Sequence, residues 1–532
     1  MGISGILTLT NGTFNTGGYL TLMSNGTTTA VVAPISDCSA VAINGDVTVE
    51  RFFPARRAFR FISSPVTTTT TIRDNLQEGV NNPPPAYVTN LNPHPGYGTH
   101  ITGNITGNYG FDITQTTNNS MFTFNNTSGV WAAVPNTNAI TLTAGVPYRL
   151  LIRGDRSISM STNAPTPTNT TLRAKGALKI CDASAGTISP TANGYNFIGN
   201  PYQATVDIKQ VLTENAHFNN NYYWVWDPKI NVRGGYVAYD LSTGINPVSG
   251  SQVNQYLQPW QACFVKNDAT AGGTIIFHES NKSVSVVNEN IYRATATIPA
   301  YIRATLYESN TLATSGVAAD GLVIKFDSSY DNLVDSNDAP KLANQDEIFA
   351  TKNNTSLLGI ESRIFPVDTD VIPINITQYR NTNYTIVAQG NNMSGLPAYL
   401  HDQLLQTYTE IPQSGSVSYS YSISTTDTAT SASDRFRIVF QNPNLSTTTN
   451  SNLIFTMYPN PSKQGVFDVV MNNATEDTKL SIYNSIGQEV YSTYMTSSTI
   501  NHINPNKVFA TGVYYVKIAK EGETTIKKLI IE

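Results

Sequence analysis

Leu480-Ser481-Ile482-Tyr483-Asn484-Ser485-Ile486-Gly487-Gln488-Glu489-Val490 reads as a β-hairpin. Leu480 and Ile482 alternate with Ser481 and Tyr483, the period-two pattern of a half-buried strand. Asn484 to Gly487 supplies turn chemistry, and Gln488 to Tyr491 returns as the partner strand. Downstream, Gly512 precedes Val513 to Ile518, where Tyr514, Val516 and Ile518 share one face. Lys520-Glu521-Gly522-Glu523 turns the chain into a last strand, Ile526 to Ile531. Upstream, Tyr458-Pro459-Asn460-Pro461 removes two backbone donors in four residues, which suits an edge or an entry turn. Residues 453–532 are therefore expected to form a small antiparallel, Ig-like sandwich of about six or seven strands.

The same alternation runs through the rest of the 532-residue chain, which is long enough for about three or four domains. Strands are predicted at Val47 to Glu50, Tyr148 to Ile152, Ala177 to Cys181, Leu322 to Phe326 and Arg437 to Phe440. One short helix is predicted, over Thr205 to Ala216, with Val206, Ile208, Val211 and Leu212 apolar. Many Thr and Asn residues, with Gly 36 and Pro 27, fit short strands and frequent turns. The fold class is all-β: tandem antiparallel β-sandwich domains ending in the Ig-like sandwich. Residues 1–44 hold two similar phrases, Ile6 to Thr10 and Tyr19 to Leu22, expected as the end of a repetitive β segment. Residues 45–285 form a β-sandwich module with all four tryptophans, and 290–440 form a second. The polar run Asn442 to Asn452 places a linker at 441–452, and 453–532 is the terminal domain.

Charged residues make up 13% of the chain, about half the usual share, and the formal net charge is -5. No basic face is evident, so nucleic acid is not expected as a partner. No apolar run reaches the roughly 18–20 residues of a membrane helix. Cys38, Cys181 and Cys263 are too few and too far apart for a disulfide framework or a CxxC metal site. They read as small buried side chains, or as a single Cys181–Cys263 bridge. No GxSxG elbow, HExxH or P-loop occurs, and the six histidines are scattered. The chain is not expected to be an enzyme, although carboxylate pairs on distant strands leave no sequence mark.

Four phrases in the tail carry a resemblance: Tyr458-Pro459-Asn460-Pro461, Leu480 to Val490, Gly512-Val513-Tyr514-Tyr515-Val516 and Lys527-Lys528-Leu529-Ile530. In order, spacing and position they resemble the C-terminal sorting domain (type A) of Bacteroidetes proteins exported by the type IX secretion system. The resemblance implies a sorting signal that includes Tyr458, Pro459, Asn460, Pro461, Gly487, Gly512, Tyr514, Lys527, Lys528 and Leu529. It implies export to the cell surface or the extracellular space. Implied partners are the translocon β-barrel, a PorV-type shuttle protein and a sortase-like peptidase. Such cargo enters the export route with a signal peptide, and none opens this sequence, so a mature form or a C-terminal fragment is expected. Val49 to Pro54, Phe59 to Pro65, Arg153 to Arg156, Asn196 to Tyr202 and Gln258 to Val265 resemble β-sandwich modules that precede sorting domains in large surface proteins. Trp260-Gln261-Ala262-Cys263 departs from that pattern, where Gly and a second aromatic are more usual.

Several groups invite sharper readings. Arg153-Gly154-Asp155 is an integrin-type tripeptide, expected here as a turn in which Asp155 bonds local backbone. Arg51, Arg56, Arg57 and Arg60 form a basic cluster, read as an anion or glycan contact or as solvated strand faces beside Glu50. Trp224 and Trp226 share a strand face; exposed, they would stack on sugar rings, and buried they would be core. Asp327, Asp331, Asp335 and Asp338, with Asp346 and Glu347, are a candidate calcium group, although the spacing misses the EF-hand pattern. No other cofactor is called for. Asp427-Thr428-Ala429 matches a short O-glycosylation signal of some Bacteroidetes, with Thr428 as acceptor. The expected function is an exported surface protein, an adhesin or stalk-like cargo with surface glycans as candidate ligands and adhesion or gliding motility as roles. The alternative is a secreted carbohydrate-binding accessory or polysaccharide-degrading enzyme.

Overall fold

The computed structural model describes residues 1–83, 90–103, 107–270, 272–283, 299–393, 396–441, 455–471, 474–520 and 523–532. It divides into two compact units, Met1–Gln441 and Asn442–Glu532. The predicted linker run, Asn442 to Asn452, lies outside the described residues, as does the stretch between the two expected modules, 284–298.

The first unit opens with two β-coils. Gly2–Ile3, Ile6–Leu7 and Gly12–Asn15 make one circuit; Leu20–Leu22, Val31–Val32 and Val41–Asn44 make the next. Each strand stacks in parallel on its counterpart, Ile3 on Leu22, Leu7 on Val32 and Asn15 on Asn44. Leu20–Leu22 then pairs in parallel with Val47–Phe53, which passes the sheet on to antiparallel Thr170–Leu178. The similar phrases at Ile6 and Tyr19 are not stacked on each other. A coil must complete its circuit before meeting itself, so these phrases fall on different faces.

Behind the coils lie successive layers, and period-two alternation explains them. In Ala58–Ser63, Ile62 enters one core with Leu22, Val49 and Leu150, whereas Phe59 and Phe61 enter a second. The sheet ordered Tyr195–Gly199, Ala262–Lys266, Tyr222–Asp227, Gly235–Asp240 closes that second core with Phe197, Phe264, Trp224 and Trp226. Its opposite face supplies Ile198, Cys263, Tyr223 and Val225 to a third core, capped by the helix Ile208–Glu214. Both faces of this sheet are buried, which is why its strands are so rich in aromatic side chains.

Residues 299–441 add an eleven-stranded sheet folded over its own core. Leu322, Ile324 and Phe326 point into that core, while Val323 joins Trp224 and Phe264 in the second core. Lys325, on the same face as Val323, reaches Asp240 at 2.6 Å in a buried pair. Trp224 Nε1 donates to the Pro340 carbonyl at 3.0 Å. Residues read as two modules thus share a core and a buried ion pair within one compact unit.

Three α-helices occur among the described residues, Ile72–Leu76, Ile208–Glu214 and Ser309–Thr314. Only the second was legible, and it is shorter than expected. Thr205–Asp207 is strand, and Asp207 caps the helix by accepting from the Lys209 and Gln210 amides. The other two are too short for an apolar period to register. The strand expected over Ala177 to Cys181 ends at Leu178.

The second unit is a sandwich of two antiparallel sheets. One runs Thr456–Tyr458, Phe467–Val470, Ile500–Ile503 in spatial order; the other runs Glu489–Tyr494, Lys479–Tyr483, Gly512–Lys520, Glu523–Ile531. Phe467, Val469, Leu480, Ile482, Val516 and Leu529 fill the space between them. The quoted hairpin pairs Ile482 with Tyr491, with an irregularity at Tyr483.

Candidate functional site

The tail residues singled out in the sequence divide by role. Tyr514 and Leu529 are core; the Tyr514 ring packs on Phe509 at 5.3 Å and its hydroxyl donates to the Ala510 carbonyl at 3.0 Å. Gly487 holds φ +80° in the hairpin turn, where Asn484 Oδ1 accepts the Gln488 amide at 2.9 Å. Gly512 opens the Gly512–Lys520 strand with no positive φ. The Tyr458-Pro459 and Asn460-Pro461 peptide bonds are cis. Asn460 Oδ1 accepts the Ile530 amide at 2.9 Å, and its Nδ2 donates to the Lys528 carbonyl at 2.8 Å. The Ser462 amide donates to the Ile530 carbonyl at 2.8 Å, and the Glu532 amide donates to the Ser462 carbonyl at 3.0 Å. The proline-rich turn therefore covers the C-terminal half of the last strand's outer edge. Toward Thr524 and Ile526, no strand among the described residues pairs with that edge. Tyr458, Lys527 and Lys528 are exposed, and Lys527 Nζ lies 5.5 Å from the centre of the Phe455 ring.

The aspartate group does not converge. Asp327 accepts the Ser329 amide, Asp331 the Leu333 amide and Asp335 the Asn337 amide, each within its own turn. Asp338 is buried and accepts the amides of Asp335 and Ser362, both at 2.8 Å. Burial pushes its carboxyl up to about 6, against the lowering effect of those two amides. Asp346 serves Arg233 and Arg380, and Glu347 accepts from the Tyr384 hydroxyl at 2.6 Å. Among the described residues no three of these carboxylates gather around one point. Millimolar calcium is expected to leave the melting temperature unchanged; a rise of several degrees in a thermal scan would contradict this.

Trp224 and Trp226, candidates for stacking on sugar, are 1% and 2% exposed. Their strand is buried on both faces, so these rings are core and present no platform. Thr428 is exposed on the 3₁₀ turn Thr428–Ser431, and Asp427 accepts the Ala429 amide at 3.0 Å.

The cysteines also depart from expectation. Cys38 and Cys181 form a disulfide with Cα atoms 5.8 Å apart, tying the second coil to the end of Thr170–Leu178. Cys263 is free and buried, its thiol pushed far up by burial. Glu279 braces the bridge: it accepts the Cys181 amide at 2.6 Å and the Ile35 amide at 2.9 Å, and it pairs with Lys282 at 2.7 Å. Sequence spacing gave no sign of this, because residues 143 positions apart meet only through the coil stack. Thiol titration of the denatured, unreduced chain is expected to find one reactive group, and three after reduction. Three before reduction would refute the bridge.

The Arg-Gly-Asp turn faces inward. Asp155 accepts the Gly96 amide and the Thr168 hydroxyl, both at 2.8 Å, and Arg153 is buried. The neighbouring Arg156 donates from Nη2 to Asp112 Oδ1 at 2.8 Å and from Nη1 to Oδ2 at 3.1 Å, both groups fully buried. The basic cluster is not a solvated face either. Arg60 is buried and lowered to about 9, first by burial and then by Arg56, while Glu50 is itself buried and accepts the Ser24 amide at 3.2 Å.

The chain thus pairs a layered β unit with a small sandwich whose last strand is guarded by a proline-rich turn. Comparison with known families agrees. Residues 456–532 match the secretion system C-terminal sorting domain, so this is a type IX-sorted protein, exported to the cell surface or the extracellular space. Residues 6–440 match the family described as Domain of unknown function (DUF8693), and the chain belongs to that family. No curated protein matches the chain.

Proposed function

We propose that the chain is an adhesin-type surface cargo: the sorting domain delivers it through the type IX machinery, and the Met1–Gln441 unit is what it displays. The translocon barrel and a PorV-type shuttle protein read the tail, and a sortase-like peptidase removes it. The open edge around Thr524 to Ile526 is the place where an added strand would pair by backbone hydrogen bonds. The observation that carries the reading is the union of a separate sorting sandwich with one large β unit locked by Cys38–Cys181, a bond suited to compartments outside the cytoplasm.

Two strains of a type IX-competent host test it, one exporting the full chain and one exporting residues 442–532 fused to an inert passenger. Both products are expected outside the cell, and only the full chain should raise attachment to glycan-coated surfaces, by several-fold. Equal attachment overturns the adhesin reading. Periplasmic retention of both overturns the delivery reading.

A further inference from the structure

A cavity of about 510 Å³ opens beside the second core of the Met1–Gln441 unit, within the roughly 300–1,000 Å³ usual for ligand sites. Its wall carries Arg57, Arg149, Arg153 and Arg233. Among the described residues, only Arg233 has a carboxylate within 4.0 Å, Asp346. Arg57 and Arg149 each leave a buried Nε without a hydrogen-bond partner. Among the described residues Arg153 makes only long hydrogen bonds, 3.5 Å to the His100 carbonyl and 3.4 Å to the Thr102 hydroxyl. Burial and the charge of Arg233 lower Arg57, while burial and the charge of Arg57 lower Arg153 to about 10 against the opposing pull of Asp112. Three guanidinium groups thus line one space, none of them with a carboxylate within 4.0 Å among the described residues, and an anion placed there would gain charge-assisted, bidentate bonds.

The rest of the lining narrows the chemistry. The Arg149 guanidinium lies 4.6 Å from the Phe122 ring centre and 4.7 Å from that of Phe59. It therefore covers the aromatic faces on which a nucleobase would stack. Asn118, Asn119 and Asn163 add carboxamides to the same wall, each both donor and acceptor, the pairing that neighbouring hydroxyls require. The space is also much larger than a single small inorganic anion needs.

We propose that this cavity binds an acidic saccharide, a sugar whose carboxylate or sulfate is held by Arg57, Arg149 and Arg153 while its hydroxyls meet the asparagine carboxamides. The aromatic rings orient Arg149 from below. This site is independent of the export route and of whether the protein mediates attachment.

Calorimetric titration of the purified full chain tests it with three probes: an oligogalacturonate, a sulfated heparin tetrasaccharide and neutral maltotetraose. Either charged probe is expected to bind at least tenfold more tightly than maltotetraose, and which one does so separates uronate from sulfate. Arg57→Gln and Arg153→Gln should each weaken that binding about tenfold to a hundredfold, the scale of one charged hydrogen-bonding group. Arg57 is the more exposed of the two, so Arg57→Gln should leave the melting temperature within a degree and keep the readout free of misfolding. No binding of either charged probe overturns the proposal. So does affinity indifferent to Arg57→Gln, or inorganic sulfate competing as tightly as the oligosaccharide.

Discussion

Asp112→Ala is expected to destabilise the Met1–Gln441 unit by about 3–5 kcal/mol at neutral pH, the usual consequence of stripping one partner from a buried pair. The carboxylate is fully enclosed. It accepts from Arg156 twice, from Gln77 Nε2 at 3.1 Å, from the Asn82 amide at 2.9 Å and from the Ile101 amide at 3.0 Å, and it stands 3.3 Å from His100 Nδ1. Removing it leaves the Arg156 charge buried beneath the turn Arg153–Arg156. Burial alone would raise the Asp112 carboxyl, but His100 and Arg156 outweigh it and hold it well below the usual range. With the folded value depressed, the stabilisation is complete above the unfolded pKa, about 3.9, and is lost as pH falls toward the folded value. The gap between wild type and variant should therefore be widest at pH 6–8 and shrink at pH 3. All four tryptophans lie in this unit, so denaturant unfolding followed by tryptophan fluorescence reports on it without interference from the tail. A cost under 1 kcal/mol at pH 7 would show that the network is not what holds this region.

Deleting Lys527 to Glu532 is expected to abolish both the fold of the tail and export. The deletion removes Leu529 and Ile531 from the sandwich core, together with every backbone bond that Asn460 and Ser462 make to the last strand. Leu529→Ala alone should cost about 2–5 kcal/mol, a large share of what a domain this size possesses. Unfolding of residues 442–532, followed by circular dichroism, measures the first effect, and cell fractionation measures the second. Export of the truncated chain at normal levels would refute the sorting assignment. Lys527→Glu with Lys528→Glu separates reading from folding, because both side chains are exposed. A folded but trapped double variant would place recognition at this strand.

The tail was the most legible part because its strands around Leu480, Gln488, Val513 and Ile526 alternate or lie between clear turns, although Phe467–Val470 and Ile500–Ile503 were not marked out. The hairpin followed from Leu480, Ile482 and the turn after them, whereas the pairing of Leu480 with Ile518 and of Ile482 with Val516 came only with the fold. The body was legible as all-β but not as layers. A strand such as Tyr222–Asp227, buried on both faces, carries no polar alternation to say which neighbour each side meets. Hence Trp224 and Trp226 admitted two readings until their strand was seen between two cores. The shared core between the regions before 285 and after 290 rests on Val323, Ala339 and Ile360, ordinary residues whose partners lie far away in sequence. The arginine-lined cavity was half visible. Arg57 stood in the basic cluster and Arg153 in the tripeptide, but Arg149 and Arg233 join them only through pairing, with Arg149 opposite Phe61 and Arg233 beyond the Trp226 strand.

The Cys38–Cys181 link has a consequence for transport. Once it closes, residues 38–181 form a covalent loop, and a looped chain cannot be drawn single file through a narrow aperture. If oxidation precedes passage, the outer-membrane exit has to admit more than one strand of chain side by side at that loop.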